Sequence, residues 1–207
     1  MESDVSLRFG AVLGHAEQKA ELQMMLGEKR LPHALLFTGP EGVGKRRLAY
    51  VLAAALLCGA EDGRPCGACG SCRALHAGTN PDFCEARPEQ AGKSAAQIRI
   101  DQIRTICAEA SRFSDAGRGR VILIDDADRM NEAAQNSLLK TLEEPAGQVT
   151  FILVTSVRNA LLDTIRSRCI PISISCASIH SSGSALRRVR CLPLSMIRLQ
   201  RRSRRGN

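Results

Sequence analysis

The segment from Gly39 to Lys45 constrains the fold of this chain more than any other part of its sequence. It reads G-P-E-G-V-G-K and fits the pattern G-x-x-x-x-G-K of phosphate-binding loops. The apolar run Leu35–Thr38 precedes it, and a helical apolar face beginning at Leu48 follows it. A glycine loop in that place lets backbone N–H groups turn toward phosphate oxygens at the start of a helix. The residues expected to hold ATP phosphates are Gly39, Gly42, Gly44 and Lys45.

The position after Lys45 departs from the phosphate-loop pattern. That pattern places Ser or Thr there, and its hydroxyl binds Mg²⁺, whereas this chain has Arg46. Either the arginine adds positive charge close to the metal position, or it faces solvent and still leaves the hydroxyl absent. In both cases we expect the magnesium-dependent step to be impaired, even if ATP binds.

A pair of acids follows the buried apolar run Val121–Ile124. In nucleotide hydrolases the first acid, here Asp125, holds Mg²⁺ and the second orients the attacking water. The second acid is normally Glu, and Asp126 is one methylene shorter, so we expect weak hydrolysis on a second ground. The sequence leaves open whether Asp128 only shapes the turn or also takes part in the site.

Segments with strand and helix patterns alternate along the chain, which predicts an α/β fold with a parallel sheet flanked by helices. Further strands are predicted at Phe151–Thr155 and, more weakly, at Ile170–Ile174. Helices are predicted before Gly27, after the phosphate loop, after Asp101 as an N-cap, and from about Asn131 to before Pro145. These elements place one nucleotide-binding-like domain in residues 1–175.

Four cysteines in residues 58–72 have the spacing C-x7-C-x2-C-x2-C. They can close around one tetrahedral Zn²⁺, and four thiolates leave no open position, so the site would be structural. The stretch is rich in glycine and has few apolar residues that could bury its thiols, so we expect no regular element there. His76 as a replacement ligand is a weaker alternative. The predicted ligands are Cys58, Cys66, Cys69 and Cys72, while Cys84, Cys107 and Cys169 are expected to be buried or surface thiols.

The charge of the chain is unevenly distributed. The net charge is +8, but eight of the 29 basic residues are arginines in 176–207, and that segment has no acid. Residues 1–175 therefore contain 21 basic and 21 acidic residues and carry no net charge. The basic tail, residues 176–207, is predicted to be disordered. The longest apolar stretch is about half a membrane span, and Glu2 and Asp4 replace a signal-peptide start, so we expect a cytoplasmic protein.

Taken in order, these motifs resemble the clamp-loader branch of the AAA+ P-loop proteins over about residues 8–175. The resemblance also rests on Leu31–Phe37, Ile98–Arg104, Leu138–Pro145 and Ser167–Cys169. The gamma/tau members end their loop in Lys-Thr and their acidic pair in Asp-Glu. Both positions differ here, so the chain is more similar to the delta-prime branch.

The resemblance implies a role in DNA replication as part of the DNA polymerase III holoenzyme. Such subunits assemble with gamma/tau and delta subunits and place the sliding clamp on primed DNA. Arg168 matches an arginine finger that acts on the ATP of a neighbouring subunit, and Thr155 matches a sensor position or simply ends its strand. Two alternatives remain: an active ATPase of the gamma/tau type, and a zinc-stabilised module that binds nucleic acid through its basic tail.

Overall fold

The computed structural model describes residues 7–28, 30–90, 95–145 and 147–175, so the tail predicted to be disordered, 176–207, lies outside them. Five strands of the described chain form one sheet in which every neighbouring pair is parallel. They are β1 (Ala34–Thr38), β2 (Phe83–Ala86), β3 (Arg120–Ile124), β4 (Val149–Thr155) and β5 (Ile170–Ser173). Their order across the sheet is β2-β3-β4-β1-β5. The predicted parallel α/β fold is confirmed, and β2 is a strand that the sequence did not predict.

One α-helix of the described chain precedes the first strand, and the others lie between strands. The helices are α1 (Ala16–Gly27), α2 (Lys45–Leu57), α3 (Gly70–His76), α4 (Ile100–Ala110), α5 (Glu132–Glu143) and α6 (Asp163–Arg166). Two expectations were wrong. The N-cap of α4 is Arg99, and Asp101 lies in the first turn, where its carboxylate suits the helix dipole. The cysteine stretch is not wholly irregular, because α3 begins at Gly70.

Apolar side chains cover both faces of the sheet. Alternate residues of a strand point to opposite faces, so Leu35 and Phe37 of β1 pack with α2, while Leu36 packs with α4 and α5. Strands covered on both sides need continuous apolar runs rather than alternating ones. This is why the runs in β1, β3 and β4 were recognisable in the sequence.

The carboxyl ends of parallel strands meet at one edge of the sheet, where ligands of open α/β folds bind. The phosphate loop follows β1, and Asp125 follows β3 at this edge. The end of β5 lies beside the end of β1, where the Ile174 N–H donates to the Thr38 carbonyl at 2.7 Å. A Cβ on Gly39 would overlap the carbonyl oxygen of Ile174, so this position requires glycine.

Candidate nucleotide and metal sites

The loop between β1 and α2 has the backbone shape of a phosphate cradle. Gly42 has φ 77° and Gly44 has φ 94°, a left-handed region that side chains disfavour. Gly44 is the N-cap of α2, so the unpaired N–H groups of the first helical turn lie at the loop. Backbone donors and the positive end of the helix therefore converge where an anion would bind.

Lys45 is the first residue of α2 and is only 6% exposed. Its Nζ donates to the Pro40 carbonyl at 2.7 Å and to the Ser156 hydroxyl at 2.9 Å. Burial lowers the pKa of Lys45, although the nearby carboxylates, Asp126 first among them, oppose that shift. Ser156 was not identified from the sequence. It is brought to Lys45 because β4 lies next to β1, a neighbourhood that the spacing of motifs does not reveal.

Arg46 does not point simply into solvent, so that alternative is wrong. Its Nε lies 3.1 Å from Asp125 Oδ2 and 3.2 Å from Glu85 Oε1, while 41% of its side chain remains exposed. The carboxylate expected to bind Mg²⁺ is thus in an ion pair with the residue that replaces the metal-binding hydroxyl. Magnesium needs near-octahedral oxygen ligands, so this set of residues does not fit it.

Glu85 is a site residue that the sequence did not indicate. It lies on β2 opposite Leu123 of β3, the strand that Asp125 follows. Burial raises the pKa of Glu85 and of Asp125, and Asp126 raises that of Asp125 further, whereas Arg46 lowers both. Strand β2 is only four residues long and includes the charged Glu85, so it lacks the continuous apolar run by which β1, β3 and β4 were predicted.

The second acid of the pair and Asp128 take different positions. Asp126 has left-handed φ and ψ of 47° and 50°, and its side chain is exposed. Asp128 accepts hydrogen bonds from the Thr155 hydroxyl at 2.6 Å and from the Ser156 N–H at 3.1 Å. The Asp128 carboxylate therefore fixes the end of β4. Thr155 is fully buried, and its hydroxyl bonds to Asp128.

Arg168 follows α6, and its side chain contacts residues of α5 and α6 rather than the phosphate loop. Its guanidinium pairs with Glu143 at the end of α5 and donates to the Thr164 carbonyl at 2.8 Å. One third of the side chain is exposed. Glu143 was not identified as its partner from the sequence, because 25 residues separate the two.

The four predicted zinc ligands lie together. Their sulfur atoms all lie within 4.8 Å of one another, and Cys58 and Cys72 are buried. Zinc–sulfur bonds of about 2.3 Å require sulfurs about 3.8 Å apart in a tetrahedron, so the group fits one Zn²⁺. Cys58 and Cys69 already approach to 4.0 Å. This cluster can hold a metal ion.

Backbone N–H groups surround the sulfurs of this cluster. Gly59 and Cys72 donate to Cys69 Sγ, and Cys66 donates to Cys58 Sγ, each at 3.4 Å. Although burial opposes it, these donors hold the pKa of Cys69 down to about 6, whereas burial raises the pKa of Cys72 to about 12. Donors to sulfur stabilise thiolates, the form that binds metal.

None of the described helices has the length and apolar character needed to cross a membrane.

The chain is similar to subunits of DNA polymerase III. The family described as "DNA polymerase III, delta subunit" matches residues 14–178. The delta' subunit of DNA polymerase III from Pseudomonas aeruginosa is 39% identical over 82% of this chain and 52% of its own length.

A more distant relative is the tau subunit of DNA polymerase III from Escherichia coli. It is 33% identical over 83% of this chain, which corresponds to 26% of the tau subunit. A gamma subunit-related protein from Thermotoga maritima shares the fold, with a TM-score of 0.52, 22% identity, and coverage of 76% of this chain and 45% of its own. The chain therefore spans about half the length of the delta' relative, or less for the others.

Proposed function

The chain belongs to the DNA polymerase III delta subunit family, and on that premise we propose that it is a delta-prime-type clamp-loader subunit in DNA replication. It would help to place the sliding clamp on primed DNA, together with gamma/tau and delta subunits. The observation that carries the proposal is the 39% identity to a delta' subunit over 82% of the chain. The proposed role also implies a cytoplasmic location.

The subunit would contribute little ATP hydrolysis of its own. The glycine cradle and Lys45 offer donors for the phosphates of ATP. However, Arg46 replaces the hydroxyl that would bind Mg²⁺ and pairs with Asp125. Asp126 is also shorter than the glutamate that orients water in active relatives of this fold. These departures support a nucleotide-binding site without efficient chemistry.

We assign the direct chemical contribution to Arg168, acting on ATP held by a neighbouring subunit. An arginine finger stabilises the charge that develops on the transferred phosphate. Arg168 is partly exposed, and within the described part of the chain its guanidinium contacts Glu143 and Thr164 rather than the phosphate loop. We also propose Thr155 as the sensor residue, and its hydroxyl donates a hydrogen bond to Asp128.

Zinc would have a structural role in this protein. The cysteine stretch, residues 58–72, follows α2 and runs into α3. Leu75 of α3 packs into the core beside α2. Closing the stretch with Zn²⁺ would hold this connection in place, since the loop has little apolar surface of its own. The purified chain should contain about one zinc ion, measured by atomic emission, and Cys66→Ser should lose it while Cys84→Ser should not. Retention of zinc by Cys66→Ser would refute the assignment.

The finger assignment is tested in the assembled complex. The chain is mixed with gamma/tau and delta subunits of the same organism, and complex formation and DNA-stimulated ATPase are measured. Arg168→Ala should assemble normally but lower ATPase by about tenfold or more, in line with the large effects of arginine fingers. Arg112→Ala is the matched control, because Arg112 likewise pairs with a glutamate, Glu109, on another part of the surface. Failure to assemble would overturn the clamp-loader proposal, and unchanged ATPase would overturn the finger.

The relationship to tau keeps an active ATPase as a second candidate. An ATPase of that type would hydrolyse ATP with its own site, and Lys45→Ala would abolish the turnover. For the favoured function, the chain alone shows negligible turnover, and Lys45→Ala changes nothing measurable in that assay. Brisk hydrolysis by the isolated chain would favour the gamma/tau-type function.

A further inference from the structure

Arg46 lies at the point where the two halves of a phosphate-loop site meet. It is in the first turn of α2, directly after Lys45, and its Nε reaches Asp125 beyond β3 and Glu85 on β2. Both carboxylates are only about one-sixth exposed, at 15% and 16%. The guanidinium therefore spans the gap between the loop that would hold phosphates and the acid that would hold a metal.

Arg46 lies within a group of ion pairs. Arg46 and Arg87 both contact Glu85, and Arg46 also contacts Asp125, so two cations face two carboxylates. A divalent ion at Asp125 would meet the positive charge of Arg46 at close range and would have to displace an ion pair. The low exposure of both carboxylates makes that displacement costly, because partly buried charges are poorly screened.

The Arg46 guanidinium can also supply positive charge to phosphate oxygens, as a bound metal ion would. Arginine carries five N–H donors in a planar fork that suits phosphate oxygens. In Arg46 the atom nearest to both Asp125 and Glu85 is Nε. The terminal amino groups of the 41% exposed side chain extend beyond that atom. Arg46 directly follows Lys45 in the first turn of α2, so its guanidinium adds a third positive charge beside that of Lys45 and the N-terminus of the helix.

We propose that Arg46 is a built-in cation in the place of Mg²⁺, so that this site binds a nucleoside di- or triphosphate that carries no divalent metal. The inference rests on the nucleotide-binding part of the proposed function and adds the form of the ligand. It assigns Glu85 as the second carboxylate that holds Arg46 in place.

The test is the affinity for a fluorescent ADP, mant-ADP, in metal-depleted buffer and after addition of Mg²⁺. The buffer is depleted with a chelating resin and contains no soluble chelator, so that zinc stays in the protein. The wild-type chain should bind equally well, within about twofold, in both buffers. Arg46→Thr, which restores the hydroxyl and frees Asp125, should bind about tenfold or more tightly with Mg²⁺ than without it.

The control is Arg47→Thr, because Arg47 is the exposed next residue of α2 and lies outside the carboxylate pair. It should remain indifferent to Mg²⁺. If Arg46→Thr does not fold, as judged by circular dichroism, Arg46→Lys and Arg46→Met replace it. Lysine keeps the cation and should preserve the indifference, whereas methionine removes it and should make binding depend on Mg²⁺.

Three results would overturn the inference: dependence of the wild-type chain on Mg²⁺, no binding by the wild-type chain in either buffer, or indifference of the charge-removing variants. Assembly with gamma/tau and delta subunits is measured separately on the same preparations. A chain that assembles but needs Mg²⁺ refutes this inference alone. A chain that is indifferent to Mg²⁺ but does not assemble refutes the clamp-loader proposal alone.

Discussion

Replacing Asp128 by alanine tests whether this carboxylate fixes the end of β4. The substitution removes the acceptor of the Thr155 hydroxyl, at 2.6 Å, and of the Ser156 N–H, at 3.1 Å. Thr155 is fully buried, so its hydroxyl would lose its acceptor out of reach of bulk water. Ser156 would also lose the restraint that holds its hydroxyl at Lys45.

The expected loss of unfolding free energy follows from these two bonds. Hydrogen bonds to a charged acceptor contribute about 1.5–3 kcal/mol, and an unsatisfied buried donor costs about 1–3 kcal/mol. Ser156 as a residue is only half-buried, so we expect its N–H to bond water instead and Asp128→Ala to cost about 2–4 kcal/mol in total. Asp128→Asn keeps an oxygen acceptor in place and should cost about 1 kcal/mol.

The assay is urea unfolding followed by circular dichroism, with Thr155→Val and the double variant completing a thermodynamic cycle. Because Asp128 and Thr155 are in direct contact, the effects of the single changes should not add, and the coupling should be about 1 kcal/mol or more. Binding of mant-ADP to Asp128→Ala should also weaken, since Ser156 contacts Lys45. A loss below about 0.5 kcal/mol, or additive single effects, would refute the structural role of Asp128.

Three further predictions concern single positions. Gly39→Ala should lower the free energy of unfolding by about 3 kcal/mol or more, since its Cβ would overlap the Ile174 carbonyl. Gly42→Ala meets no neighbour and should cost only about 1–2 kcal/mol of backbone strain. Equal losses for the two variants in urea unfolding would contradict this. Asn131→Ala should cost about 1 kcal/mol, because the Asn131 side chain accepts from a backbone N–H at the start of α5, and Asn131→Asp should cost little. Burial raises the pKa of the Cys169 thiol from 9.0 to about 11, so its contribution to stability is complete below pH 9 and is lost as the pH rises toward 11. Cys169→Ala should show a smaller decline of unfolding free energy over that range, and an identical decline would exclude Cys169 as its source.

The fold was largely predictable because its signals are local. The glycine loop between an apolar run and a helix defined β1 and α2, and continuous apolar runs defined β3 and β4. The cysteine spacing likewise brought four sulfurs within reach of one ion. Each of these features depends on residues close in sequence, whose backbone preferences and side-chain periodicity can be read directly.

The partners within the site were not predictable in the same way. Glu85 lies 39 residues from Arg46, and its strand β2 is four residues long and carries a charge. The sequence does not distinguish between two roles of Asp128, whereas the structure shows its carboxylate accepting hydrogen bonds from Thr155 and Ser156. These contacts exist only because β2 adds beside β3 and β4 lies between β3 and β1.

The sequence by itself determined that the chain has a phosphate cradle, lacks the magnesium-binding hydroxyl and groups four thiols at metal-ligand spacing. Only the tertiary structure decided that Arg46 pairs with Asp125 and Glu85, and that Arg168 is held by Glu143. The physical reason is that residue type and spacing fix which groups are available. The order of strands in the sheet decides which of those groups come within bonding distance.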